Sequence, residues 1–316
     1  MKLFVADPIH DDAVAFLREK GDVELTLWSD PAIANWKNEA EAVIVRGSVV
    51  SAGDIMAAKK LKVIGRHGVG YEKIAVEAMK ERGMALINAP FENGQSVAEL
   101  AVGLLLACSR NIPQVMEKIK GGNWGDARKK LGGSDLYQAT LGVVGFGRIA
   151  RMTATMVKNA FDMTILAHDP LLPQDAWKDY ADLATPCASL NELFASSDFI
   201  SLHVPTTPRT LGMIGTEQFA AARKNLVIVN TARGGVVDEG ALFTALKENR
   251  IRAAASDVFA EEPLNPDSPL LSLPNFIATP HYGGSTDSSL RRVACAVARE
   301  VHAFMHGREN PAYRVF

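Results

Sequence analysis

Residues 140–151, Thr-Leu-Gly-Val-Val-Gly-Phe-Gly-Arg-Ile-Ala-Arg, leave few options for the chain around them. Leu141 to Val144 is a short apolar run of strand character. It breaks at Gly145-Phe146-Gly147, and Arg148 to Lys158 carries the pattern of a helix. A strand that turns on glycine into a helix brings the unpaired N–H groups of a helix N-terminus up to an anion. Gly145 permits the tight turn and Gly147 lets a pyrophosphate approach the backbone, with Arg148 and Ile149 beside it. Ala150 is the small residue that lets the helix pack on the strand. A second strand, Met163 to Ala167, runs into His168-Asp169-Pro170. Asp169 stands about 22 residues beyond Gly147, the spacing of a carboxylate that accepts from a ribose 2′-hydroxyl. Two glycines alone are common in ordinary turns. Strand, helix, second strand and terminal acid together read as a dinucleotide site. The acid selects NAD, because it repels a 2′-phosphate and Pro170-Leu171 supplies no base to hold one.

The rest of the chain alternates in the same way. Leu3–Ala6, Val23–Trp28, Ala42–Val45, Lys62–Gly65 and Met84–Ile87 have strand character, with helical patterns at 11–20, 51–58 and 71–82. After residue 180, strands are expected at Asp198–His203, Leu226–Val229, Arg252–Val258 and Asn275–Ala278. Helices are expected at Asp238–Asn249 and Ser285–Met305. Ser96-Val-Ala-Glu99 reads as a capping box opening one long helix to Lys120, and Ser189-Leu-Asn-Glu192 as another. Gly121–Gly125 ends the long helix, and Asp126–Gln138 reads as a polar excursion or subunit contact. At 316 residues this alternation predicts an α/β chain of two doubly wound parallel-sheet domains. In such sheets ligands bind beyond the carboxyl ends of the strands. That rule gathers Asp169, His203, Arg233, Asp257, Glu262 and His281 toward one crevice.

A formal net charge of −2, with 22% charged and 47% hydrophobic residues, gives no reason to expect nucleic acid or an anionic membrane as partner. Cys108, Cys187 and Cys295 lie far apart and suit buried thiols in a reducing compartment. No His, Cys or Asp cluster has ligand spacing, so no metal is expected. The N-terminus enters a strand pattern at once, without a signal peptide. The apolar segment Val97–Cys108 is too short to span a bilayer, which reads as a cytoplasmic protein.

Several motifs, in order, resemble the D-isomer-specific 2-hydroxyacid dehydrogenase family. They are Gly65-Arg-His-Gly-Val-Gly70, Val97-Ala-Glu99, Gly145-Phe-Gly-Arg-Ile-Ala150, His203-Val-Pro205, Asn230 to Glu239, Asp257 to Leu264, and Thr279-Pro-His-Tyr-Gly-Gly284. Arg46, Asn111-Ile-Pro-Gln114 and Gly283-Gly-Ser-Thr286 lean toward its phosphoglycerate dehydrogenase branch. His67 and Tyr282 depart from that branch, and the chain ends without a regulatory extension. The resemblance implies a Rossmann cofactor domain, residues 98–284, inserted into a flavodoxin-like substrate domain, residues 1–97 plus 285–316. It also implies a homodimer formed through the cofactor domain. The implied reaction is hydride transfer between NAD and a D-2-hydroxy acid or 2-keto acid, with a phosphoglycerate-like substrate as one form. Hydroxypyruvate or glyoxylate reduction is the neighbouring reading. Relatives of this fold that act as NAD-sensing corepressors supply a non-enzymatic one.

Reducing a 2-keto acid needs a held carboxylate, a polarised ketone and a proton for the developing alkoxide. Arg233 suits the first two tasks, since a guanidinium can fork onto a carboxylate and still point a donor at the ketone. His281 is the expected acid, and Glu262 the carboxylate that favours its imidazolium and sets its tautomer. Glu261 is expected to face solvent. The resemblance gives Arg233, Glu262 and His281 these same roles. It gives His203, Val204, Pro205, Thr231, Ala232, Asp257 and Gly283 to the cofactor, with Asp257 as acceptor for the nicotinamide amide. Gly68, Val69 and Gly70 can present backbone N–H groups to a carboxylate, and Arg46 and Arg66 are candidates for a second anionic group. His67 lies beside them as a weaker candidate.

Overall fold

The computed structural model describes residues 1–130 and 132–316. The chain divides into two compact units, residues 1–94 with 284–316, and residues 95–283. The first unit opens with β1 (Lys2–Val5), α1 (Asp11–Arg18), β2 (Glu24–Thr26), α2 (Trp36–Glu39) and β3 (Ala42–Val45). It continues through α3 (Ala52–Ala57), β4 (Val63–Arg66), α4 (Val76–Glu81) and β5 (Ala85–Ile87). The helices α5 (Gly94–Ser109), α6 (Ile112–Lys120) and α7 (Trp124–Lys130) follow. Then come β6 (Thr140–Val144), α8 (Arg148–Phe161), β7 (Thr164–His168), β8 (Thr185–Pro186), α9 (Leu190–Ser196) and β9 (Phe199–Leu202). The second unit closes with α10 (Thr216–Ala221), β10 (Val227–Asn230), α11 (Glu239–Lys247), β11 (Ala253–Ser256) and β12 (Phe276–Ala278). The chain returns to the first unit as α12 (Asp287–Met305).

Every pairing between named strands is parallel. The first sheet runs β2-β1-β3-β4-β5, the flavodoxin-like order. The second runs β12-β11-β10-β9-β6-β7-β8, the Rossmann order with one further strand. The α/β class expected from the alternation is therefore the observed one. Strands buried on both faces explain the unbroken apolar runs: β3, β9, β10 and β11 are buried at every position. Order reverses between β6 and β9 in one sheet and between β1 and β3 in the other, which sets the two switch points where ligands of such sheets bind.

Glycine explains two close approaches. A Cβ on Gly65, in β4, would stand 2.6 Å from Val301 Cγ2 and 2.8 Å from Val297 Cγ1, so α12 lies directly on that strand. A Cβ on Gly142, in β6, would stand 2.4 Å from Ser197 Oγ and 2.5 Å from Ile200 Cδ1.

Several expected elements differ. The long helix is two helices, because Asn111 adopts the left-handed region (φ 52°) and Pro113 has no N–H to give Ser109 O. That carbonyl accepts instead from Arg252 at 2.8 Å and from Ser134 N at 2.9 Å. The box at Ser96 is not a cap: α5 begins at Gly94, Ser96 is buried, and Glu99 accepts from the Gln95 amide at 2.9 Å. At α9, Ser189 does cap Glu192 N, but Glu192 reaches Ala188 N. The excursion at 126–138 starts inside α7, and its Leu131 lies outside the described residues. The helix expected over 71–82 is confined to α4, and β2 is the centre of the strand expected over 23–28.

Candidate active site

In the second unit the glycine turn is tightly built. Gly145 has φ 80°, and its N–H donates to His168 O at 2.9 Å. A Cβ there would fall 2.6 Å from Val204 Cγ1 and 3.0 Å from His203 O, so the loop after β9 rests against the turn after β6. Phe146 is buried and stacks on Trp177, with ring centroids 5.1 Å apart. Gly147 is the N-cap of α8, no side chain caps it, and a Cβ would meet nothing within 4 Å. Ala150 is fully buried in the core between helix and sheet. Asp169, just past β7, accepts from Phe146 N at 2.8 Å and from Leu171 N at 2.9 Å. These bonds fix its carboxylate beside the turn and leave each oxygen a further acceptor position.

His203 is partly buried and bonds Ser201 Oγ through Nε2 at 2.9 Å. Burial pushes its imidazole down to about 4, so it is neutral at ordinary pH. Its neighbour Pro205 follows a trans peptide. Thr231, past β10, has a buried hydroxyl with no hydrogen-bond partner, and Ala232 beside it is buried. An open approach at Gly147, an uncapped helix N-terminus, a turn-held carboxylate and an orphan buried hydroxyl fit a phosphate-bearing dinucleotide.

The loops after β10, β11 and β12 hold one another. A Cβ on Gly234 would lie 1.8 Å from the carbonyl carbon of Phe259, so only glycine lets these two backbones touch. Glu239, opening α11, accepts Ala260 N at 2.8 Å. Arg233 is thereby carried next to the loop that bears Glu262, and its Nη1 donates to Ala232 O at 2.8 Å. Glu262 accepts Phe259 N at 3.0 Å through Oε1, and its Oε2 lies 2.7 Å from His281 Nδ1. Glu261 is exposed. His281 sits in the left-handed region (φ 51°), a conformation uncommon for a non-glycine residue. Asp257 is buried. It accepts from Thr279 Oγ1 at 2.7 Å, Tyr282 N at 3.0 Å and Gly283 N at 2.9 Å. Three of about four acceptor positions of this carboxylate are thus spent fixing the loop that carries His281.

In the first unit the loop after β3 is gripped by Asp7, which accepts from the N–H groups of Arg46 (2.6 Å), Gly47 (2.9 Å) and Ser48 (3.0 Å) and from Ser48 Oγ (2.8 Å). Burial pushes the Asp7 carboxyl up, but the donors from Ser48, Arg46 and Gly47 outweigh it and hold it below its usual value. Arg66 folds back on its own loop, donating Nε to Gly70 O at 2.7 Å and Nη1 to His67 O at 2.5 Å. Gly68 has φ 137°, and Asn88 Nδ2 donates to Val69 O at 2.9 Å. His67 is 5% exposed, with no partner for Nε2. Burial and then the Arg46 charge push it down to about 4.

Residues 102–283 match the model of the D-isomer specific 2-hydroxyacid dehydrogenase NAD-binding domain. The chain is 39% identical over 306 residues to a hydroxypyruvate reductase of Thermotoga maritima, covering 95% of this chain and 97% of that protein. The chain belongs to the D-isomer-specific 2-hydroxyacid dehydrogenase family. It is also 45% identical over 309 residues to a D-3-phosphoglycerate dehydrogenase of Methanocaldococcus jannaschii, covering 97% of this chain but 58% of that protein. The chain thus spans little more than half the length of that relative. Among solved structures, a D-lactate dehydrogenase of Aquifex aeolicus complexed with NAD and lactic acid superposes with a TM-score of 0.83 at 27% identity, covering 100% of this chain and 99% of the other. For this family member, the second unit is a domain for NAD or NADP.

Sequence reasoning gave no individual role to Asp7, Asn88, Glu239 and Thr279, whose hydrogen bonds hold the loops of this dehydrogenase-family chain. An acid within two residues of a strand's carboxyl end, as Asp7 is after β1 and Asp257 after β11, was the available signal. Of the three thiols, Cys108 is buried and raised by burial to about 12, while Cys187 and Cys295 are partly exposed. Among the described residues no helix is long and apolar enough to cross a membrane.

Proposed function

We propose that the chain is an NAD-dependent oxidoreductase that moves hydride between nicotinamide and a D-2-hydroxy or 2-keto acid. The observation that carries the proposal is the Glu262–His281 pair at 2.7 Å, built on the loop that Gly234 packs beside Arg233. With Nδ1 committed to Glu262, Nε2 is the ring nitrogen left to give a proton to the substrate oxygen in reduction and to take it back in oxidation. Glu262 orients the ring, and Phe259 N fixes that carboxylate in turn. Arg233 holds the substrate carboxylate and polarises the ketone. The bound nicotinamide would supply or accept the hydride.

Gly145, Gly147, Arg148 and Ile149 would cradle the pyrophosphate, and Asp169 the ribose hydroxyls, which favours NAD over NADP. His203, Val204, Pro205, Thr231, Ala232 and Gly283 would line the remainder. Asp257 would serve chiefly by positioning the 279–283 loop, with one acceptor position left for the nicotinamide amide. The first unit would hold the substrate, its carboxylate on Gly68, Val69 and Gly70 and a second anionic group near Arg46. Arg66 braces that loop as well as adding charge. The second unit would dimerise through α6 and α7, since α6 buries none of its residues and Ile112, Met116, Ile119 and Trp124 stand exposed. A cytoplasmic location accords with the thiols.

The test is NADH oxidation with a panel of 2-keto acids, including phosphohydroxypyruvate, hydroxypyruvate and glyoxylate, repeated with NADPH. Turnover with NADH on at least one is expected. Preference for phosphohydroxypyruvate would mark the anionic group, and preference for hydroxypyruvate would follow the Thermotoga maritima relative. Tight NADH binding without turnover on any acid would sink the catalytic reading in favour of an NAD-sensing module.

A further inference from the structure

We propose that Asp22, His302 and His306 form a site for one divalent transition-metal ion, zinc being the ion that fits the set best. His302 and His306 stand four residues apart at the end of α12, so both imidazoles leave one face of the helix, with ring centroids 4.6 Å apart. Asp22, in the turn before β2, meets both: Oδ1 is 3.3 Å from His302 Nε2 and Oδ2 is 2.5 Å from His306 Nε2. The three candidate ligand atoms lie within 4.8 Å of one another. Bonds of about 2.0–2.1 Å in a tetrahedral zinc site separate ligand atoms by roughly 3.4 Å, which small side-chain rotations would reach. The absence of ligand spacing expected from the sequence overlooked this helical pair, which becomes a three-ligand set only when Asp22 folds onto it.

The donor set argues for the ion class. Two imidazoles and one carboxylate suit zinc, cobalt, nickel or copper, whereas magnesium and calcium prefer oxygen alone. His302 is held in place, its side chain 11% exposed and edge-on to Phe16 at 6.1 Å. Asp22 and His306 are open at 43% and 37%, which leaves room for water as a fourth ligand. The site lies at the amino end of β2, whereas the 66–70 loop follows the carboxyl end of β4 in the same parallel sheet. Its role is therefore structural: an ion there would tie together segments 280 residues apart in sequence that build one unit.

The full chain, stripped with EDTA, is dialysed against zinc alone and assayed for bound metal and thermal unfolding, beside Asp22→Asn and His306→Ala. Both substitutions alter exposed groups and spare the buried His302. Wild type should bind one zinc ion more per chain than either variant. Its Tm should rise by about 5 °C at a zinc concentration roughly 100 times Kd, with no such rise in the variants or with magnesium. Equal zinc stoichiometry in wild type and either variant would overturn the proposal and leave a hydrogen-bonded His–Asp–His cluster.

Discussion

At the scale of single residues, the candidate site turns on what holds a side chain as much as on the side chain itself. His281 meets Glu262 at 2.7 Å because its backbone is bent into the left-handed region and its loop is pinned by Asp257. His281→Gln keeps size and polarity but cannot pass a proton, so kcat should fall about 10²–10⁴-fold while the Kd for NADH, read by fluorescence titration, stays within a few-fold. Unchanged turnover would remove His281 from proton transfer. His67 gives a stability prediction. In the unfolded chain its imidazole takes a proton near 6.5, but the folded protein resists protonation until about 4. The unfolded state therefore binds more protons across that window, and stability falls as pH drops through it, by on the order of 3 kcal/mol. Above pH 6.5 the residue contributes nothing of this kind. His67→Gln should flatten the pH dependence of urea unfolding between those limits, and an unaltered slope would refute the assignment. Residue types were legible in the sequence: a lone histidine becomes a candidate acid once a glutamate follows a neighbouring strand. Which carboxylate oxygen faces which donor was not legible, since that depends on loops from three strands meeting.

At the scale of elements, close backbone contact decides most. Gly234 and Phe259 touch where no Cβ fits, and this contact brings the loops after β10 and β11 together. Gly234→Ala must push them apart. A loss of about 1–3 kcal/mol in stability is expected from such overpacking, together with a kcat loss of at least 10-fold, measured by denaturant titration and steady-state assay. Wild-type values for both would show that the loops can separate without consequence. Most strands were readable from apolar runs and glycine breaks, the two-residue β8 excepted, whereas the sheet orders came with the family resemblance, since right-handed βαβ units allow more than one order. The split between α5 and α6 was also encoded, in Asn111 and Pro113, but an apolar stretch running past it looked continuous. The box at Ser96 misled because the chain enters the helix two residues earlier, at Gly94, and the Ser96 side chain is buried.

For the molecule as a whole, α6 leaves Ile112, Met116 and Ile119 exposed among the described residues. Met116→Asp together with Ile119→Asp should convert a dimer to monomers in sedimentation velocity at micromolar concentration, with each unit still folded by circular dichroism. A dimer that survives both substitutions would place the subunit interface elsewhere. The first unit carries a further consequence, one of timing. Its sheet is complete by Ile87, yet the helix that lies on Gly65 and completes its core with Val293, Val297 and Val301 comes after the whole second unit. During synthesis, roughly 190 residues separate the two parts, about 10–40 s of elongation at common rates. The second unit, contiguous in the chain, can finish folding within that interval. The first unit spends it with that face of its sheet covered by α1 alone, in the period when holdase chaperones have most to protect.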